Sequence, residues 1–288
     1  MSFATRIREV PRLGVGISCE FDAGDRPALD PLALRAEAPG LVHFLEIGAD
    51  LERGLDGSMR AWAAAGLPTT YHFLDVNLAE AEDVDPRWVE RTVAQAREVG
   101  AAWLCGDAGF WHLGRRERGH GLLLPPVLRL DAAFELAAAI RRLKQLSGLL
   151  VLPENPTAAA FVGRVHLLDF FARVVDGCDT GFLLDVSHLA IFQRMRGHRP
   201  TDGLDGFPLE RIVELHVAGG SVREHRGLPW VEDDHSPEPL ADAWEILEAV
   251  LPRAKNLKAI VYECEHNGLD EVLPGFERLN RVFPGEAS

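Results

Sequence analysis

Short runs rich in Val, Ile, Leu and Phe recur along the chain at residues 14–18, 42–47, 69–73, 102–107, 149–154, 181–186, 212–217 and 259–263. Within each run the apolar positions are nearly continuous rather than alternating. Parallel strands read this way because helices cover one face and packed interior layers cover the other. Between the runs, segments 31–38, 59–65, 86–99, 132–147, 165–175, 239–250 and 269–282 have helical spacing or composition, and 189–196 reads as a short helix followed by a Gly/Asp-rich loop at 201–207. Pro86 and Pro239 fall near predicted helix starts, where a missing amide hydrogen costs little. Eight βα units is the number that closes a barrel. The predicted fold is therefore α/β, a single (β/α)8 barrel of the triosephosphate-isomerase type over residues 1–288, with no Pro/Ser-rich linker to divide it.

In such a barrel the reactive face is the carboxyl end of the strands. Here the runs end on Glu46, His72, Asp107, Glu154-Asn155, Asp185 with His188 three residues on, His216, and Glu263 with Glu265; the loop after His216 brings Asp233, Asp234 and His235. Any one of these is an ordinary strand or helix cap. Together they are more than caps, because carboxylates converging on one mouth repel one another unless cations sit among them. Imidazole and carboxylate suit zinc, iron or manganese, and so many donors exceed what one tetrahedral ion uses, which points to two or three metals. His43, His166, His198, His225 and His266 lie elsewhere and read as structural. Segment 109–130 is long for a loop in a compact domain, and its His112, Arg115, Arg116, Arg118 and His120 form a basic island that reads as a solvated loop or a lid over the mouth.

Composition narrows the function. The 288 residues are 47% hydrophobic with a formal charge of −14, so a surface that tracks nucleic-acid phosphates is not expected. The N-terminal segment is charged and lacks an apolar core, and no stretch is long enough to span a membrane, so a cytoplasmic protein is expected. Cys19, Cys105, Cys178 and Cys264 occur singly, as buried thiols do in a reducing compartment. There is no G-x-x-x-x-G-K-[ST] loop and no G-x-S-x-G elbow, and Gly14-Val15-Gly16 lies inside a strand, so nucleotide binding and serine-nucleophile chemistry find no support.

Taken in order, Gly14-Val15-Gly16-Ile17, Phe44-Leu45-Glu46, Tyr71-His72, Leu122-Leu123-Leu124-Pro125, Pro153-Glu154-Asn155, Leu183-Leu184-Asp185, His216-Val217-Ala218-Gly219, Asp233-x-His235 and Tyr262-Glu263 resemble the multinuclear non-haem iron-dependent oxidative enzymes, relatives of the methanobactin biosynthesis oxidase. The resemblance spans nearly the whole chain. It implies a barrel holding two or three irons that uses dioxygen to remodel peptides, often at cysteine, during maturation of ribosomally made natural products, with a small partner protein presenting the peptide. By that likeness the metal ligands are His72, Asp107, Glu154, Asp185, His188, His216, Asp233, His235 and Glu263, with Asn155 a further candidate; His216, Asp185 and Glu263 are the expected catalytic residues. One departure is Asp107, where the family usually has a histidine; a carboxylate keeps a ligand and adds negative charge, which favours the higher iron oxidation state. The competing expectations are a divalent-metal sugar isomerase or endonuclease of the xylose-isomerase type, and a metal-loaded scaffold without catalysis.

Overall fold

A computed structural model describes residues 2–19, 29–114 and 123–285, without the side chains of residues 225 and 228. The chain opens with a short helix, α1 (Phe3–Arg6), and then alternates: β1 (Gly14–Cys19), α2 (Pro31–Glu37), β2 (Phe44–Ala49), α3 (Gly57–Ala64), β3 (Thr69–Phe73), α4 (Pro86–Glu98), β4 (Leu104–Asp107), α5 (Leu130–Ser147), β5 (Val151–Glu154), α6 (Leu167–Cys178), β6 (Phe182–Asp185), α7 (Val186–Arg196) and β7 (Ile212–Ala218). A hairpin of β8 (Gly220–His225) and β9 (Leu228–Asp233) follows, then α8 (Ala241–Val250), β10 (Ala259–Glu263) and α9 (Leu269–Val282). Eight strands close a parallel barrel in the order β1-β10-β7-β6-β5-β4-β3-β2. The expected (β/α)8 fold is thus present.

Each barrel strand is buried on both faces, which is why its sequence lacks clean alternation. One face meets the helices: Ile17, Leu45, Tyr71, Leu104, Val151, Leu184, Leu215 and Tyr262 join Trp62, Trp88, Phe170, Phe171 and Phe276 in a single outer core. The other face fills the barrel. Its lower half is apolar, with Phe44, Trp103, Leu150, Leu152, Val213 and Ala259 packed against Phe3, Ile7, Val10 and Leu13 of the N-terminal segment. The Phe3 backbone N–H donates to Asp179 Oδ2 at 3.1 Å, tying α1 to the turn before β6. Water is therefore excluded from below, and the polar residues of the same strands gather at the carboxyl end.

Four expectations change. The segment after β7 is a hairpin rather than a loop, turned by Arg226 (φ 52°) and Gly227 (φ 77°). Positive φ at both central positions is the type I′ geometry that matches the twist of paired strands. The helix expected at 165–175 runs Leu167–Cys178 with His166 as its N-cap, and Pro239 lies outside α8, which starts at Ala241. His112 is not part of a solvated island. It is buried, its Nε2 lies 3.0 Å from Asp83 Oδ2 and its Nδ1 2.9 Å from Gly114 O. Arg115, Arg116, Arg118 and His120, like Leu122 of the Leu-Leu-Leu-Pro piece, fall outside the described residues, as does the His225 side chain.

Candidate metal centre

Strand register sets the site. Asp107 lies beside Glu154 across β4 and β5, Asp185 beside His216 across β6 and β7, and Glu263 two pairs beyond His216 across β7 and β10, opposite Ala218. Asp185 is also the N-cap of α7: its Oδ1 accepts from the His188 backbone N–H at 2.6 Å, which places His188 in the first turn, facing back over the mouth. The hairpin explains Asp233. Gly220 pairs with Asp233, so the strands run out and return the carboxylate to the end of β7. His235 follows in the left-handed region at φ 49°, a conformation non-glycine residues adopt at a cost and that recurs at functional sites. Gly219 makes room for this loop. A Cβ there would lie 2.0 Å from Ser236 O.

The side chains converge. His72 Nε2 is 2.8 Å from Glu154 Oε2, and His188 Nε2 is 2.8 Å from Asp233 Oδ2 and 3.6 Å from Asp185 Oδ2. His216 Nδ1 lies 3.2 Å from Glu263 Oε1 and 3.4 Å from Glu154 Oε1, while its Nε2 lies 3.1 Å from Glu46 Oε1. His235 Nε2 is 3.9 Å from both Asp233 Oδ2 and Glu263 Oε2. At the mouth, three trios have ligand atoms within 4.8 Å of one another: His72, Asp107 and Glu154; Glu154, Asp185 and His188; and Glu46, His216 and Glu263. Glu154 belongs to two of them, so its carboxylate could serve both.

Neighbours outside the trios fix the imidazoles. Glu265 Oε1 takes His235 Nδ1 at 2.7 Å and Ser18 Oγ donates to Glu265 Oε2 at 2.8 Å; Asn155 O takes His188 Nδ1 at 2.9 Å. Each contact leaves an Nε2 facing the mouth, the arrangement by which a metal-binding histidine is oriented. Asn155 itself has a different task from the one its type suggests. Its Oδ1 accepts from the Asp185 backbone N–H at 3.0 Å and its Nδ2 donates to Asp185 O at 2.9 Å, so both amide atoms hold the main chain of Asp185. Glu46 and Glu265, visible at strand ends but left out of the ligand set, are in contact with His216 and His235. Glu214 was missed altogether, although a charged residue two positions before His216 in an apolar strand must share its inward face.

The electrostatics are those of buried carboxylates faced by imidazoles. Among the described residues, no arginine or lysine pairs with these carboxylates; the imidazoles are their cationic partners. Burial, with the Glu154 charge, pushes Asp107 up to about 8, and burial with Glu263 and Glu154 holds Asp185 well above the usual carboxylate range. Burial also pulls the histidines down, yet the surrounding acids outweigh it: His72 rises to about 10, and His188, His216 and His235 rise well above their ordinary value. Protons on imidazole thus supply the positive charge that metal ions would bring. A metal also fits the unsatisfied atoms. Asp107 Oδ1, Glu154 Oε1, Asp185 Oδ2, Asp233 Oδ1, Glu263 Oε2, His72 Nδ1 and both nitrogens of His216 are buried without a hydrogen-bond partner, which is costly unless a ligand pairs them.

Fold and site define a TIM barrel whose strand ends gather several trios of possible metal ligands. Similar barrels are known from a xylose isomerase domain-containing protein of Salmonella typhimurium LT2 (TM-score 0.60, 15% identity, 95% of this chain and 97% of that one) and a xylose isomerase-like TIM barrel protein of Mycobacterium smegmatis in complex with magnesium (TM-score 0.59, 12% identity, 94% and 96%). At that identity they show the fold alone. The chain belongs to the MbnB/TglH/ChrH family of RiPP precursor modification enzymes, whose profile matches residues 25–280. It is similar to UPF0276 proteins of Anaeromyxobacter sp. (strain Fw109-5), 23% identical over 202 residues (69% of each chain), and Caulobacter vibrioides, 24% identical over 249 residues (84% of this chain, 85% of that one). Its substrate class is therefore a ribosomally made precursor peptide. Among the described residues no helix is long and apolar enough to cross a membrane.

Proposed function

We propose that the chain, working as one barrel domain, is an oxidoreductase that uses two or three iron ions and dioxygen to modify a precursor peptide, with cysteine as the favoured position and a small separate protein presenting the peptide. The observation that carries this reading is Glu154, a buried carboxylate shared by two trios of donors and surrounded by further unpaired ligand atoms. His72, Asp107, Glu154, Asp185, His188, His216, Asp233, His235 and Glu263 would hold the metals, joined by Glu46 on the His216 side. Iron held there supplies dioxygen activation and one-electron oxidation.

The chain's own groups do the rest. His216 and Glu263 of one trio and Asp185 of another are assigned the catalytic roles. His216 stands between three carboxylates, so its two nitrogens can each face a different partner. Glu265 and the Asn155 carbonyl hold His235 and His188 in a fixed rotation. The apolar plug beneath keeps water from the lower side. Asp107, in place of the expected histidine, adds an anionic donor beside His72.

The test is to reconstitute the protein with ferrous iron and co-express it with a short Cys-containing peptide encoded next to its gene. A mass change in the peptide that requires both iron and dioxygen is expected, with dioxygen consumed as product forms. Equal product without dioxygen, or with iron replaced by magnesium, would overturn the reading. The xylose-isomerase-like fold favours one competitor, a divalent-metal isomerase, and anaerobic turnover of a sugar with magnesium would select it.

A further inference from the structure

One layer below the mouth lies a further group of donors, which shares only Glu46 with the trios. Cys105, Glu46 and Glu214 are buried, and one ligand atom from each lies within 4.8 Å of the others. The side chains are held in distinct ways. Trp103 Nε1 donates to Glu214 Oε2 at 2.7 Å, and the opposite oxygen, Oε1, is buried with no hydrogen-bond partner. The Cys105 thiol donates to Glu46 Oε2 at 3.2 Å and Thr70 Oγ1 donates to the same oxygen at 3.3 Å, while Glu46 Oε1 faces His216. Glu46 therefore spans two layers, one oxygen toward the mouth and one toward the thiol. No arginine or lysine among the described residues pairs with either carboxylate.

We infer that Cys105, Glu46 and Glu214 form a separate site for a divalent cation of borderline-soft character, such as Fe2+, Zn2+ or Co2+, linked to the mouth through the Glu46 carboxylate. A thiolate with two carboxylates selects such ions over Mg2+ or Ca2+, which prefer oxygen alone. A bound dication would pair the free Glu214 oxygen and replace the thiol proton. The site would be closed to solvent and hold its ion as structure, steadying the carboxylate against which His216 rests.

Cobalt distinguishes this site from the sulfur-free mouth, because only a thiolate ligand gives an intense near-ultraviolet sulfur-to-cobalt charge-transfer band. The full chain, stripped of metal, is titrated with Co2+. The wild-type protein is expected to develop that band, Cys105→Ser to lose it together with one equivalent of bound cobalt, and Cys264→Ser to keep it. Glu214→Gln should also bind one equivalent fewer. His235→Ala should keep the band while losing cobalt from the mouth, so failure of the mouth assignment would not be mistaken for failure here. Wild-type protein saturated with cobalt and lacking the band overturns the inference without any variant, as does a band that persists in Cys105→Ser.

Discussion

His235 concentrates the demands on a single residue. Its backbone sits at φ 49°, its Nδ1 is taken by Glu265, and its Nε2 faces Asp233 and Glu263. Asparagine tolerates the left-handed region better than most residues, so His235→Asn should leave the barrel folded while bound iron and turnover fall; full iron content in the folded variant would remove His235 from the ligand set. Glu265→Gln is the subtler change. It keeps the shape but weakens the contact that orients His235, and metal affinity should drop about 10- to 100-fold, read by titrating the metal-free protein. An unchanged affinity would reduce Glu265 to packing. Sequence alone places these side chains at the mouth without saying which bind and which support. Asn155 is the clearest instance: its type and position suit a ligand, and only its bonds to Asp185 show that it holds the main chain.

At the level of elements, two connections deliver ligands and can be separated from them. Asp185 both caps α7 and faces His188. Asparagine caps a helix about as well as aspartate, whereas alanine costs about 1 kcal/mol. Asp185→Asn should therefore keep the thermal stability of the metal-free protein but lose metal, and Asp185→Ala should lose both; equal metal content in Asp185→Asn and wild type would leave Asp185 only its capping role. Gly219 joins β7 to β8 and packs against the loop of His235 at Ser236. Gly219→Ala would press a Cβ onto Ser236 O, so the loop must move, costing about 1–3 kcal/mol and displacing His235; denaturation and metal titration of the variant check both. The hairpin between these elements was not legible. Its turn is Arg226-Gly227 rather than the Asn-Gly that signals type I′, and the strand Ser221-Val222-Arg223-Glu224 is mostly polar and lies outside the barrel rhythm. The barrel itself was legible because burial on both faces leaves the same apolar signature eight times. The α1 plug, only 4 residues long, leaves no periodic trace.

For the whole molecule, the mouth ties stability to metal and to pH in opposite senses. Without metal, imidazolium groups neutralise the acids. His72 has a folded value of about 10 against an ordinary 6.5, so its contribution is complete below about pH 6.5 and is lost as pH rises through about 10. Metal binding reverses this, since it needs neutral imidazole and must release the protons on His72, His188, His216 and His235. Affinity should rise with pH, and protons should appear in an unbuffered titration. An ion present at about 100 times its Kd stabilises the folded state by about 2.7 kcal/mol, roughly 5 °C in Tm for a chain of this size. The gap in Tm between iron-loaded and metal-free protein should thus be small near pH 5, where protons compete for the imidazoles, and widen toward pH 8, where iron wins and the metal-free form has gained nothing. Differential scanning calorimetry of the two forms across that range decides it. A gap that stays constant, or narrows toward pH 8, would mean that the imidazoles at the mouth are not where the metal binds.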